Sequence, residues 1–186
     1  MRVLVIPEDF RKDQYILKPI VKALLEVLGK PRAKVEVCKD PLLGGVAEAL
    51  KSERIAEILE RYRGMVDLFL LCVDRDGLPG RRGRLNELEG EASPAVLIAE
   101  NAWQELEAWV LAGHDLPKDW QWAAIRGETQ VKEVYFEPFA RDRGVASGPG
   151  GGRKALAEEA ARRIDRIVAL CPEDLGSLKT RIAAFA

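Results

Sequence analysis

The sequence predicts an α/β fold: a parallel β-sheet with flanking helices, extended at its C-terminal end by further helices. Three observations carry this. Short β-branched or aliphatic runs alternate with segments of helical apolar spacing through the first part of the chain. One run, residues 65–73, is apolar almost throughout apart from Asp67, as expected of a central parallel strand covered on both faces. Acidic residues also stand just beyond three of the strand-like runs, where open parallel sheets gather their ligands.

The elements follow in order. Residues 3–6 form a short β-branched strand ending at Pro7. Residues 14–28 place Leu17, Ile20, Val21, Leu24, Leu25 and Leu28 on one helical face, and Gly29 and Pro31 close the helix. Residues 33–38 alternate as a second strand, and 46–62 read as a second helix stopped by Gly64. The apolar run 65–73 is the third strand, 94–99 the fourth, and 103–112 a further helix. Between them, the glycine-rich stretch 77–93 passes from basic to acidic and reads as a loop with a short helix. Strands separated by helices of this length argue for βαβ units with right-handed crossovers. An α/β core over residues 1–113 is therefore expected, with 114–186 packing on it as part of a single domain. In that second part, 131–139 reads as a strand or extended segment and 154–170 as a long helix. Cys171-Pro172 ends that helix, and a last one runs over 174–185.

The 186 residues are 47% hydrophobic and 32% charged, enough for one ordinary core. Lys+Arg 29 against Asp+Glu 30 excludes a nucleic-acid binder acting through bulk positive charge, so any such contact needs a local patch. No apolar run is long enough for a membrane span, and the strand-like start lacks the build of a signal peptide. A cytoplasmic protein is the reading. Cys38, Cys72 and Cys171 are odd in number and widely spaced, which argues against a disulfide framework or a zinc site, and Cys38 and Cys72, inside apolar strand-like runs, read as buried thiols. His114 is the only histidine, so histidine-based metal clusters and a serine triad are set aside. It is expected at the end of the Trp109 helix. The four tryptophans, Trp103, Trp109, Trp120 and Trp122, read as packing residues rather than a base-stacking platform.

The chemistry lies in the acids. The first strand delivers Glu8 and Asp9, the third delivers Asp74 and Asp76, and the fourth delivers Glu100, with Glu105 and Glu107 on the helix beyond. Carboxylates crowded into one cleft repel one another unless a cation stands between them. Magnesium or manganese suits such a site, since a hard ion takes one or two carboxylates and leaves other positions to water and substrate phosphate. The competing reading is a set of turn and cap residues, because Asp76-Gly77 is also a good turn.

Ile6-Pro7-Glu8-Asp9 together with Leu71-Cys72-Val73-Asp74-Arg75-Asp76-Gly77 resembles a Toprim domain. The run from Ala99 to Ala112, with Glu107-Ala108-Trp109-Val110-Leu111-Ala112, is similar to a signature of small Toprim-like proteins related to OLD-family and RloB-type nucleases. The resemblance covers most of the chain. It implies a Toprim-like parallel sheet and a Mg2+ (or Mn2+) site for phosphodiester chemistry. It implies Glu8 as a metal ligand or general acid/base, Asp74 and Asp76 as the metal-binding pair, and Glu107 as a ligand for a second ion. A late lysine of the family matches Lys154 loosely. Two positions depart from the pattern: Lys12 stands where a further acid is expected, and Glu105 where a small hydroxyl residue is expected.

Arg81, Arg82 and Arg84, in Gly80-Arg81-Arg82-Gly83-Arg84, are candidates for a phosphate-binding loop beside the acids, because guanidinium forks match phosphate oxygens. The stretch from Gly148 to Lys154 reads as a linker at a helix start and lacks the Gly-Lys-Ser/Thr ending of a P-loop. Two functions stay open. One is a divalent-metal-dependent nuclease or phosphodiester-transfer protein acting on the phosphate backbone of DNA or RNA. The other is a catalytically weak Toprim-like module that binds nucleic acid or a partner ATPase subunit, which the residues at 12 and 105 favour. A phosphate-ester hydrolase of small nucleotides is a third, weaker option.

Overall fold

The computed structural model describes residues 1–185. Four strands, β1 (Arg2–Pro7), β2 (Lys34–Val37), β3 (Leu68–Val73) and β4 (Leu97–Asn101), form one sheet in the order β2-β1-β3-β4. All neighbours are parallel. The α/β class expected from the sequence is the observed one. The strand order reverses between β1 and β3, and at such a switch point the loops leaving the two strands splay apart and open a crevice. Pro7 lies in register with Cys72, so Glu8 and Asp74 follow close behind at the two lips of that crevice.

Helices cover both faces. Val3, Val5, Leu68, Leu70, Cys72 and Ile98 point to one side, against α1 (Phe10–Val27) and α5 (Glu107–Ala112). Leu4, Ile6, Phe69, Leu71, Val73, Leu97 and Ala99 point to the other, against α3 (Ser52–Arg61) and α4 (Arg81–Glu91). Every residue of β3 is buried, as its apolar run requires.

Several local readings are corrected. Helix α1 starts at Phe10 rather than Gln14, because Asp9 caps it by accepting from the Arg11 amide at 2.9 Å. Residues 46–62 hold two helices, α2 (Val46–Ala49) and α3, since Lys51 is extended and the Leu50 carbonyl accepts from Arg84 Nε instead. Segment 131–139 is helical: a π-helical turn at Lys132–Phe136 leads into α7 (Glu137–Asp142). The Lys132 amide there donates to Glu105 Oε2 at 2.6 Å, while Phe136 and Phe139 turn inward. The basic stretch 80–84 is the first turn of α4, not a loop.

The remainder packs on the α1 face. It comprises α6 (Trp122–Gly127), α8 (Arg153–Ala160), α9 (Ile164–Leu170), a π-helical turn at Pro172–Gly176 and α10 (Ser177–Phe185). Residues 154–170 are thus one helical path interrupted by a 3-10 turn at Ala161–Arg163. Near that break Gly113 meets α8 so closely that an added Cβ would lie 2.5 Å from the Ala160 Cβ. The C-terminal part shares the sheet's hydrophobic cluster through Leu156, Ala160, Ile167, Leu175 and Ile182. Asp174, 1% exposed, fastens it by accepting from the Trp103 amide (2.7 Å), Trp109 Nε1 (2.8 Å) and Arg126 Nη1 (3.0 Å). Cys38, Cys72 and Cys171 are buried free thiols. His114 does follow α5, where burial lowers its pKa against the opposing pull of the Leu156 carbonyl and Glu159, and Nε2 lies 2.9 Å from the Leu156 carbonyl oxygen. No helix among the described residues is long and apolar enough to cross a membrane.

Candidate metal centre

The crevice between β1 and β3 is where the acids meet. Glu8 Oε2 accepts from the Asp74 amide at 3.2 Å, which puts the first and third strand ends in direct contact. Asp74 Oδ1 in turn accepts from the Leu106 amide at 2.8 Å, drawing in the segment that leaves β4. Residues 103–106 are not helical as expected; α5 begins only at Glu107. The non-helical stretch is what lets backbone donors reach the Asp74 loop. Gln104 holds that loop's other side, its carbonyl accepting from the Arg75 amide at 2.8 Å and its Oε1 from the Gly77 amide at 2.9 Å. The turn so held is strained: Asp76 has φ 52°, a left-handed conformation that non-glycine residues avoid.

Asp13, on the first turn of α1, is the acid the sequence reading missed. Its Oδ2 accepts from the Asp9 amide at 2.9 Å, the reciprocal of the Asp9 cap. That bond turns the carboxylate back toward Glu8. With α1 beginning at Phe10, Lys12 is exposed and the next residue, Asp13, is partly buried. Burial pushes the Asp13 carboxyl up to about 7, with Glu8, Glu107 and Asp9 repelling its charged form. Glu8 is likewise raised to about 7 by burial, offset in part by the Asp74 amide. The Asp74 carboxyl is held well above the usual carboxylate range by burial, then by Glu107, Glu8 and Asp13 in turn. These carboxyls sit in each other's fields with backbone amides as their hydrogen-bond donors.

The remaining sequence candidates are placed differently. Asp76 Oδ2 accepts from Arg81 Nη2 at 3.0 Å, and that arginine is buried with its Nε unpartnered. Glu107 is 5% exposed and pairs with Arg153, whose Nε donates to Oε1 at 2.9 Å. So α8 presents Arg153, not its neighbour, to the acids; Lys154 Nζ pairs with Glu158 at 2.9 Å on the exposed side of the helix. Arg153 is released into this position by Gly150, Gly151 and Gly152, all at positive φ. Arg82 is committed to Glu100 (2.8 Å) and the Ala99 carbonyl (2.7 Å), and Arg84 to the Leu50 carbonyl (2.9 Å), Ser52 (2.7 Å) and Glu87 (2.8 Å). Both brace α4 rather than standing free for a phosphate. Glu100 lies inside this brace, also bonded by Ser177, and not in the crevice.

The donor chemistry suits a hard divalent ion. Glu8, Asp13 and Asp74 are three oxygen-bearing side chains within each other's electrostatic reach, and burying such charges without a cation is costly. Among the described residues no three side chains already stand as a ready-made ligand set. A magnesium-type site asks for less, since one or two carboxylates suffice and waters complete the shell. Comparison with family models, curated proteins and solved structures returned no match to this chain.

Proposed function

We propose that the crevice binds Mg2+ or Mn2+ and that the protein is a metal-dependent nuclease or phosphodiester-transfer protein of the Toprim-like kind. The observation that carries the reading is the contact of Glu8 with Asp74 at the switch point, with Asp13 turned onto the same place. Acids brought together by three separate segments, while arginines nearby are used elsewhere, are what a cation site requires. Glu8 and Asp74 would hold the ion, with Asp13 beside them. Asp76 and Glu107 would join only on leaving Arg81 and Arg153. A bound ion would neutralise phosphate charge and lower the barrier to attack by water. Glu8, with its carboxyl near 7, is suited to take and return a proton near neutral pH.

The Asp74 loop supplies the rest of the support. Gln104 fixes its backbone and so holds Asp76 in its left-handed conformation. The test is direct: incubate the protein with supercoiled plasmid and with single-stranded DNA and RNA, in manganese and in chelator. Cleavage in manganese alone is expected, falling by about 10³-fold or more in Asp74→Ala, in line with loss of a group acting at the reacting centre. Cleavage that Asp74→Ala leaves intact would discard the mechanism. The second reading, a binding module with little chemistry, is favoured by the pairing of Glu107 with Arg153, which occupies an acid with a fixed cation.

A further inference from the structure

Around the crevice, Arg81, Arg82, Arg84, Arg126 and Arg153 each hold a carboxylate. Arg75 differs. It stands between Asp74 and Asp76 in the chain, and among the described residues no acid lies within ion-pair distance of its guanidinium. Instead the guanidinium carbon sits over the Trp103 ring, 4.3 Å from its centroid. The ring is itself anchored, because the Trp103 amide donates to buried Asp174. Arg75's own backbone is pinned at both ends, its amide to the Gln104 carbonyl and its carbonyl to Arg81 Nη2 at 3.5 Å. An arginine lying on an aromatic face keeps its N–H edge open while losing little further freedom on binding an anion. Arg126 also lies by this ring, 5.4 Å from its centroid, but its charge is taken up by Asp174 and Glu173, so Arg75 is the cation the ring presents.

We propose that Arg75, set on Trp103, is a phosphate-binding subsite for the polynucleotide backbone. It rests on the reading of the crevice as a phosphodiester site and extends it. Asp74 turns toward Glu8 and the Leu106 amide, whereas Arg75 lies on Trp103. The phosphate it takes is therefore a neighbour of the reacting one, and Arg75 positions the strand without entering the chemistry. This also places the local basic feature that a chain of balanced charge needs, in the acid loop itself rather than in 81–84.

The experiment measures binding of a short fluorescein-labelled single-stranded oligodeoxynucleotide by anisotropy, in calcium and across a series of KCl concentrations. Arg75→Gln is expected to weaken binding about tenfold at low salt, the size of one charge-assisted contact. It should also make the slope of log affinity against log salt shallower by about 0.7, one phosphate's worth on a single strand. Arg75→Lys should restore the slope. Arg63→Gln, which removes the same charge from an exposed arginine paired with Glu60, should change neither quantity. The assignment is overturned if Arg75→Gln matches Arg63→Gln, or if the unaltered protein does not bind the oligonucleotide. It is also overturned if a mononucleotide at equal phosphate concentration competes fully, which would move the subsite to small nucleotides. Binding with the expected slope change but no cleavage in manganese would sink the nuclease reading and leave Arg75 in place. Cleavage with no Arg75 effect would do the reverse.

Discussion

The acids beside β4 and the C-terminal helices and those in the β1/β3 crevice are held on opposite principles. Beside β4, Glu100 and Glu89 are shared between Arg82 and Arg181, and Glu100 also accepts from Ser177. A short way off, Asp174 is met by Arg126 and two tryptophan N–H groups. Each of these carboxylates has guanidinium partners, so the clusters are closed. In the crevice between β1 and β3, Glu8, Asp13 and Asp74 have backbone amides and one another. The closed clusters spend arginines on holding C-terminal helices to the sheet. The open one leaves its charge uncompensated, a cost a fold retains where something else completes it. Burial does not set the crevice acids apart, since Glu100 and Asp174 are more deeply buried than Glu8, Asp13 and Asp74; the missing counter-charge does.

Breaking the closed side should have the largest effect. Asp174→Ala leaves the Trp103 amide and the Trp109 indole N–H without their acceptor and Arg126 with Glu173 alone, and should cost about 3 kcal/mol. Urea denaturation reads this, and a loss under about 1 kcal/mol would show that the cluster is not a fastening.

The open side should reveal itself through pH. Glu8 and Asp13 have carboxyls raised to about 7 by burial, as does Glu105 outside the crevice at the Lys132 amide, so the folded state holds protons that the unfolded chain has already released. Stability is then highest near the ordinary carboxylate range and falls as pH rises to about 7. Between pH 5 and pH 8 the protein in chelator should lose on the order of 2 kcal/mol, a drop in Tm of about 5 °C. Magnesium should recover much of it at pH 8 by binding the native state alone. A flat profile would mean that burial does not raise these carboxyls.

The smallest effect is the most diagnostic in sign. Asp74→Asn keeps an oxygen for the Leu106 amide and removes the repelled charge. It should raise stability in chelator by about 1 kcal/mol while abolishing stabilisation by the ion. A loss of stability would place Asp74 with the closed clusters.

Much of this was legible in the sequence. The four strands and α1 follow from runs of apolar residues whose period matches their structure, and Glu8 and Asp74 follow from lying just past two of those strands. What was not legible depended on pairing at long range. Arg82 and Arg84 look like free cations until α4 brings them to Glu100 and Leu50. Glu107 and Arg153 are 46 residues apart, and no local pattern tells that the arginine, not Lys154, will face the acid. Residues 131–139 read as a strand or extended segment, and this is wrong: the Glu105 carboxylate at the Lys132 amide and the burial of Phe136 and Phe139 go with a helical segment.

The chain's own pattern of apolar and polar residues determined that strands and helices form an α/β sheet and which acids stand at its strand ends, because burial of a repeating face is a local property of the polypeptide. Only the tertiary structure decided which acids are left without a counter-ion. That choice is made by where distant guanidinium groups come to rest once the helices have packed, and charge compensation, unlike periodicity, has no fixed spacing along a chain.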